Sequence, residues 1–148
     1  MRIYSQYGTP QRLFEMMKRV NRLNEEILPV EKKNAIINDF VQFVDEKLGL
    51  GENLPNVTIS YDEKEAGDMH SFGKYTPEAS DLRVVAVNRN LADVLRTLAH
   101  ELIHHKQYKD GKLTPDSNDT GSEHENEANA LAGVFVREYG QKNPIIFE

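Results

Sequence analysis

The segment over residues 91–108 most constrains the fold, because its apolar residues recur every three or four positions. They are Leu91, Val94, Leu95, Leu98, Leu102 and Ile103. This spacing predicts an amphipathic α-helix, and Asn90 immediately before it is a suitable N-cap. The chain therefore contains a helix from about Asn90 to Tyr108.

Length and composition indicate one folded domain over residues 1–148. Of these 148 residues 39% are apolar and 28% charged, values typical of soluble globular proteins. There is no cysteine, which excludes disulfides and thiolate metal sites. Any bound metal must therefore be held by His and carboxylate side chains.

Residues 1–50 are predicted to be helical. Thr9 and Pro10 suit an N-cap and first helical position, and the apolar spacing that follows predicts a helix over residues 10–27. A second apolar set over residues 36–48 ends before Gly49 and Gly51, which suit a helix C-terminus. We expect the Met and aromatic residues of both helices to pack in the core.

Residues 54–140 are predicted to contain the sheet and two further helices. Strands are expected over 57–61, 71–75 and 82–88, with turns at 62–69 and 76–81, which predicts a small, mostly antiparallel sheet. A polar loop over 109–122 leads to a last helix over 123–139 that Gly140 should end. The fold class is α+β.

The metal-site motif is His100-Glu101-Leu102-Ile103-His104 in the predicted helix. Positions i and i+4 lie about one turn apart on the same helix face, so both imidazoles can reach one ion. Glu101 points about 100° away from His100, beside the position of a metal-bound water. Zinc would activate that water, and Glu101 would accept its proton and pass it to the leaving amine.

A third ligand is expected in the segment 123–127. On a helical wheel, His124 and Glu125 border the apolar face of the last helix, whereas Glu123 and Glu127 point further away. A His near the start of a helix is more often solvated or capping, although His124 would complete a three-His site. Glu123 with Glu127 offers an alternative pair in a shifted register.

The sequences HELIHH at 100–105 and ENEANALA at 125–132 resemble the gluzincin pattern of HExxH followed by Glu-x-x-x-Asn/Asp. The resemblance is closest to small metallopeptidases of the ImmA/IrrE type and covers roughly residues 57–135. It implies a zincin-like fold in which a metal-binding helix and a C-terminal ligand helix hold one zinc per chain. It also implies that Glu125 is the third ligand and that Asn129 supports a metal-binding His.

The resemblance is incomplete at three places. Ile103 stands where a Gly is frequent, no Leu-Met-Pro-like run follows the last helix, and no DNA-binding helix-turn-helix is evident. These differences concern the biological role more than the zinc chemistry.

Candidates for substrate binding are less specific. In zincin-like folds the substrate backbone commonly follows an edge strand beside the metal helix, and residues 71–75 are the candidate here. Side chains able to donate a hydrogen bond to an oxyanion are Tyr139, Tyr108, His124, His105 and His70. Of these, His124 is the preferred candidate, and His105 is not expected to bind the metal.

The predicted function is a cytoplasmic zinc metallopeptidase acting on a protein or peptide. A non-catalytic zincin-fold binding module and another zinc amidase are the alternatives. The formal net charge of −6 argues against nucleic acid as a partner. No signal-peptide-like start or membrane-spanning apolar stretch is evident.

Overall fold

The computed structural model describes residue 16 and residues 28–68, 72–112 and 122–147. The chain divides into two compact units, Met1–Ile36 and Ile37–Glu148. The predicted helix over 10–27 lies outside the described residues except for Met16, and so do residues 113–121 of the predicted loop. The prediction of one domain stays a prediction.

The described residues contain four α-helices and three strands, and the α+β prediction is confirmed. The helices are α1 (Val30–Leu48), α2 (Glu63–Asp68), α3 (Leu91–Lys109) and α4 (Glu123–Lys142). The strands are β1 (Asn56–Ser60), β2 (Gly73–Thr76) and β3 (Asp81–Val85). Short 3-10 turns cover Gly51–Asn53, Pro77–Ala79 and Pro144–Phe147.

The three strands form a mixed sheet in the order β1-β3-β2. β1 runs parallel to β3, with Asn56 opposite Asp81, and β2 runs antiparallel to β3, with Gly73 opposite Val84. The prediction of a mostly antiparallel sheet is therefore wrong. The chain between β1 and β3 is long enough for a crossover, so β3 can enter the sheet beside β1 in the same direction.

The helix α2 was missed because its sequence, EKEAGD, lies in a segment rich in turn-forming residues. Asp62 caps it, since its Oδ1 accepts a hydrogen bond from the backbone N–H of Lys64 at 2.9 Å. The Glu65 carboxylate then binds Arg83 of β3 and accepts a hydrogen bond from Ser60 at the end of β1. The segment predicted as a turn therefore forms a helix, and Glu65 connects this helix to the sheet.

The core lies between the sheet and the long helices. Leu95, Leu98 and Leu102 of α3 are fully buried, as are Leu82 and Val84 of β3. Each such side chain contributes about 1.5–3 kcal/mol on burial. α3 is packed against α4 and against β2 and β3, so its HExxH segment is held between the sheet and the last helix.

A second part of the core is aromatic and joins α1 to α4. The Phe40 ring meets the Tyr139 ring edge-on at a centroid distance of 5.1 Å, and Phe43 contacts both Tyr139 and Phe135. Tyr139 also donates a hydrogen bond from its hydroxyl to Asp39 Oδ2 at 2.8 Å. The expected packing of the aromatic residues of α1 in the core is confirmed.

Two predicted helix ends have different outcomes. α1 ends at Leu48 and Gly49 follows with φ +68°, a left-handed conformation that favours glycine. Gly140 does not end α4, which continues to Lys142. Gly140 is instead buried under the ring of Phe147, with which a Cβ at that position would clash.

None of the helices in the described ranges combines the length and apolar character that crossing a membrane requires.

Candidate metal centre

His100 and His104 project from one face of α3, as the sequence predicts. Their Nε2 atoms lie 3.1 Å apart, and the two rings meet edge-on at a centroid distance of 4.6 Å. The helix that carries them is capped by Asn90, whose Oδ1 accepts a hydrogen bond from the N–H of Ala92 at 2.8 Å. His104 is buried, whereas His100 is partly accessible.

Glu125 reaches both imidazoles from the first turn of α4. Its Oε1 lies 3.1 Å from Nε2 of His100, and its Oε2 lies 2.9 Å from Nε2 of His104. Ser122 is the N-cap of this helix, and its Oγ accepts a hydrogen bond from the backbone N–H of Glu125 at 3.1 Å. The cap therefore holds the backbone that carries the third candidate ligand.

The other candidates for a third ligand lie elsewhere. Among the residues that the structure describes, only His100, His104 and Glu125 bring three possible ligand atoms together, all within 4.8 Å of one another. Glu123 is exposed, and neither it nor His124 belongs to this cluster. Of the alternatives that the sequence left open, Glu125 is the one that lies beside both imidazoles, and its role as a ligand stays a prediction.

Gln107 is a site residue that sequence reasoning missed. It is buried on α3, and its Oε1 lies 2.8 Å from Nδ1 of His104. Its Nε2 lies 3.0 Å from the backbone oxygen of His124 and 3.0 Å from Oε1 of Glu127. A carbonyl and a carboxylate can only accept hydrogen bonds, so the NH₂ group of Gln107 must face α4 and its oxygen must face His104.

This amide orientation determines the proton position on His104. Since Oε1 of Gln107 is an acceptor, Nδ1 of His104 carries the hydrogen, and Nε2 of the neutral ring has a lone pair. That lone pair faces a second acceptor, Oε2 of Glu125, at 2.9 Å. Two acceptors at this distance require a cation between them, either a proton or a metal ion.

The donor set fits a zinc ion. Zinc takes imidazole and carboxylate ligands at about 2.0–2.2 Å with tetrahedral geometry, which places ligand atoms about 3.3 Å apart. The Nε2 atoms of the two histidines lie 3.1 Å apart, and they lie 3.1 and 2.9 Å from different oxygens of Glu125. Small outward movements of the side chains would therefore accommodate the ion.

Asn129 contacts His100, as the resemblance to gluzincins implied. A hydrogen bond between the two side chains raises the pKa of His100. Burial has the larger effect and lowers this pKa, the Glu125 carboxylate opposes it, and the neighbouring His104 adds to it. The result is a pKa below the usual value of 6.5, which favours the neutral, metal-binding imidazole.

Glu101 lies beside the cluster without belonging to it. Burial raises its pKa from 4.5 to about 7, the nearby His104 opposes this rise, and the negative charge of Glu125 adds to it. The side chain is packed against β2, where the backbone of Gly73 faces it. A carboxyl group with a pKa near neutrality can both accept and return a proton at physiological pH.

A cleft of about 530 Å³ opens beside these residues. Phe72, Gly73 and Tyr75 form part of its wall, and Glu101 and Glu125 also line it. β2 is an edge strand of the sheet. The carbonyl of Phe72 accepts a hydrogen bond from the N–H of Val85 at 2.8 Å, and the antiparallel alternation then directs the backbone of Tyr75 toward the outer edge.

Tyr75, a half-buried residue of this wall, contacts the fully buried His105. Nε2–H of His105 donates to the backbone oxygen of Asn53, so Nδ1 of the neutral ring must accept. The hydroxyl of Tyr75 therefore donates to Nδ1 of His105, at 2.7 Å. Burial raises the pKa of Tyr75 to about 12, and the nearby Tyr108, Glu78 and Glu101 add to this rise, so the hydroxyl remains protonated.

The four oxyanion candidates that the structure describes do not line the cleft. Tyr139 is buried and bonded to Asp39, His105 is bonded to Tyr75 and Asn53, and neither lines the cleft. The rings of Tyr108 and Tyr75 meet at 6.4 Å, but Tyr108 and His124 are absent from the described lining. His70 lies outside the described residues.

The chain matches no protein-family model, no curated protein and no solved structure in the three comparisons made.

Proposed function

We propose that this chain is a zinc-dependent metallopeptidase in which His100, His104 and Glu125 bind the metal and Glu101 is the general base. The observation that carries the proposal is the 2.9 Å contact between Nε2 of His104 and Oε2 of Glu125. Because Gln107 leaves the lone pair of the neutral His104 ring on Nε2, a metal ion can take the place of the proton in this contact, and Nε2 of His100 lies 3.1 Å from both residues.

The proposed fold is zincin-like. The HExxH helix is packed against a small sheet, and a C-terminal helix supplies the third ligand, which is the arrangement implied by the resemblance to gluzincins. The contact between Asn129 and His100 agrees with the same pattern. These features support the proposal that the chain is a small metallopeptidase of the ImmA/IrrE-like type.

Zinc bound here would lower the pKa of a coordinated water to about 7 and make it a nucleophile at neutral pH. Glu101 is the nearest free carboxyl group to the cluster on the same helix. It would accept the proton of the attacking water and deliver it to the leaving amine nitrogen. The pKa of Glu101 is about 7 in the metal-free protein, and a bound cation would lower it toward the ionised form that accepts a proton.

The substrate is proposed to be a peptide segment that lies along β2. The strand borders the cleft, and the backbone of Tyr75 is directed toward the outer edge, where an extended peptide can add hydrogen bonds. A peptide bound along β2 would place one of its peptide bonds beside Glu101 and the metal ligands. The cleft is open, so a segment of a longer chain can enter it.

The Glu101→Gln variant tests the proposal. We expect it to retain one zinc per chain but to lose cleavage of an unfolded protein such as casein by about 10²–10⁴-fold, because a positioned acid-base group contributes this much. Glu123→Gln is the matched control, since Glu123 is an exposed carboxylate outside the cluster. Undiminished cleavage by Glu101→Gln would exclude the mechanism.

A substrate-size series distinguishes the proposed peptidase from a small-molecule amidase. The same assay is run on casein and on synthetic peptides of two to ten residues. Turnover restricted to the shortest substrates would favour the amidase. No turnover of any of them, with zinc bound, would favour the binding module.

A further inference from the structure

Gln107 links the metal-binding helix to the ligand helix through one buried amide. Only 2% of its surface is exposed. On α3 it lies three residues after His104, close to one helical turn, so the two side chains are neighbours. Its hydrogen bonds to α4 go to the backbone of His124 and to the side chain of Glu127.

The two contacts on α4 bracket the proposed third ligand. His124 precedes Glu125 directly, and Glu127 follows it by two residues. An amide that contacts both positions restricts the rotation of α4 about its axis and the position of its first turn along α3. These contacts therefore help to hold Glu125 beside the imidazoles.

The oxygen of the Gln107 amide affects Nε2 of His104, the proposed ligand atom, through its contact with Nδ1 of the same ring. With its NH₂ group bound to α4, Gln107 can present only its oxygen to Nδ1 of His104, so the hydrogen of the neutral ring lies on Nδ1 and the lone pair on Nε2. If α4 were displaced, the amide could rotate and present its NH₂ group to Nδ1. Nε2 would then carry the hydrogen and could not bind a metal.

We propose that Gln107 is a positioning residue that couples the docking of α4 to the metal-binding tautomer of His104. This inference rests on the proposed zinc site and adds to it the residue that assembles the site. The same three hydrogen bonds position Glu125 and place the hydrogen of His104 on Nδ1, so both residues become able to bind the metal together. Loss of an outer hydrogen-bond partner of this kind typically weakens metal binding 10–100-fold.

The first experiment compares Gln107→Met with wild type. Met has a similar length and no hydrogen-bonding amide, so it removes the coupling while filling the buried space. Zinc affinity is measured by competition with a chromophoric chelator, and we expect the dissociation constant to rise 10–100-fold. Gln141→Met, at an exposed position of α4, should bind zinc as wild type does.

The tautomer is read directly in the metal-free protein by long-range ¹H–¹⁵N NMR of the His104 ring. Wild type should carry a hydrogen on Nδ1 whether or not Nε2 shares a further proton with Glu125, whereas Gln107→Met should show a mixture with the Nε2–H form that lacks it. A residue with only a packing role would leave this signature unchanged. The measurement requires neither zinc nor a substrate.

A reciprocal pair of substitutions tests the coupling between the helices. Gln107→Glu keeps an acceptor for Nδ1 of His104 but places a carboxylate against Glu127 and the backbone oxygen of His124. We expect zinc binding at least tenfold weaker in this variant and nearly unchanged in Glu127→Gln, whose side-chain oxygen still accepts from Gln107. The double variant should recover part of the affinity, because its new amide at position 127 could donate to its new carboxylate at position 107, while the backbone oxygen of His124 still lacks its donor.

The outcomes separate this inference from the proposed function. Wild-type protein that binds no zinc would overturn the proposed function, whatever the tautomer of His104. Zinc bound equally by wild type and Gln107→Met, or no recovery in the double variant, would overturn the role of Gln107 and leave the proposed site intact. Circular dichroism of each variant confirms that the comparison is made between folded proteins.

Discussion

Gly73 of β2 lies directly against Glu101 of α3. A Cβ at Gly73 would lie 3.2 Å from both Cγ and Oε1 of Glu101 and 2.7 Å from Cγ2 of Thr97. Such distances are shorter than normal van der Waals contacts, so a side chain at position 73 would displace the side chains of Thr97 and Glu101 or shift the strand. The glycine therefore permits the close approach of the cleft wall to the proposed general base.

We expect Gly73→Ala to impair catalysis while leaving zinc bound. The added methyl group would push Thr97 and Glu101 away from β2, and a shift of about 1 Å at a catalytic group can cost roughly 10²-fold in rate. Overpacking of this kind also destabilises by about 1–3 kcal/mol. Cleavage of casein, zinc content and thermal unfolding measure the three effects.

Two further variants determine whether the clash is the cause. Thr97→Ser removes Cγ2 but keeps the hydroxyl that accepts a hydrogen bond from Arg89 at 2.7 Å, so it should restore part of the activity in a Gly73→Ala background. Gly133→Ala is the control, because a Cβ there meets nothing within 4 Å. Wild-type activity in Gly73→Ala would show that the strand can shift to accommodate the methyl group without moving Glu101.

The pKa of Glu101 predicts an unusual pH dependence of stability in the metal-free protein. The folded value is about 7 and the ordinary value 4.5, so between these pH values the folded state binds more protons than the unfolded state. Stability from this group is then lost as the pH rises from about 4.5 to about 7. The lowered pKa of His100 acts in the opposite direction, since it costs stability as the pH falls below 6.5.

Comparison with Glu101→Gln isolates the contribution of Glu101, because Gln resembles the protonated acid. At pH 8 the metal-free variant should be more stable than wild type by about 1–3 kcal/mol, since each pKa unit corresponds to about 1.4 kcal/mol. The difference should disappear near pH 4.5. Urea unfolding at several pH values measures it, and equal stabilities at pH 8 would contradict the prediction.

The site was more predictable from sequence than the sheet, for a physical reason. The spacing of His100 and His104 determines their relative position once the segment is helical, and the apolar residues around them make it helical. Strand alternation says which residues share a face but not which strand is the neighbour. The parallel pairing of β1 with β3 depends on the crossover between them, which the sequence pattern does not reveal.

Gln107 and Gly140 show the same limit at single residues. Gln107 looks like an ordinary polar residue of a helix, and its partners on α4 lie 17 and 20 positions away. Gly140 resembles a helix end because glycine commonly has that role. Its actual role depends on Phe147, which reaches it only after the chain has turned back on α4.

Zinc content is expected to distinguish Glu125 from its neighbour Glu123. Glu125→Ala removes a carboxylate that contacts both imidazoles and should lower the zinc content well below one per chain, whereas Glu123→Ala should retain it. Zinc at 100 times its dissociation constant should stabilise the wild type by about 2.7 kcal/mol. Elemental analysis and thermal unfolding with and without chelator measure both effects, and loss of zinc only in Glu123→Ala would establish the shifted register.

The hydrogen bond from Tyr75 to His105 is expected to matter for stability and little for the chemical step. Tyr75→Phe leaves Nδ1 of a fully buried imidazole without its donor, which typically costs about 1–3 kcal/mol. The melting temperature should fall by several degrees. Because the phenolic hydrogen is already donated to His105, the kcat for a peptide substrate should stay within about threefold of wild type.

Tyr108→Phe is the matched control for this variant. Tyr108 is 39% exposed, and its ring contacts the ring of Tyr75, so loss of its hydroxyl should change the melting temperature by less than about one degree. The opposite pattern, a 10²-fold fall in kcat for Tyr75→Phe with unchanged stability, would show that the hydroxyl leaves His105 and donates to the reacting carbonyl oxygen. That result would make Tyr75 the oxyanion donor, since loss of such a donor costs about 10²–10³-fold.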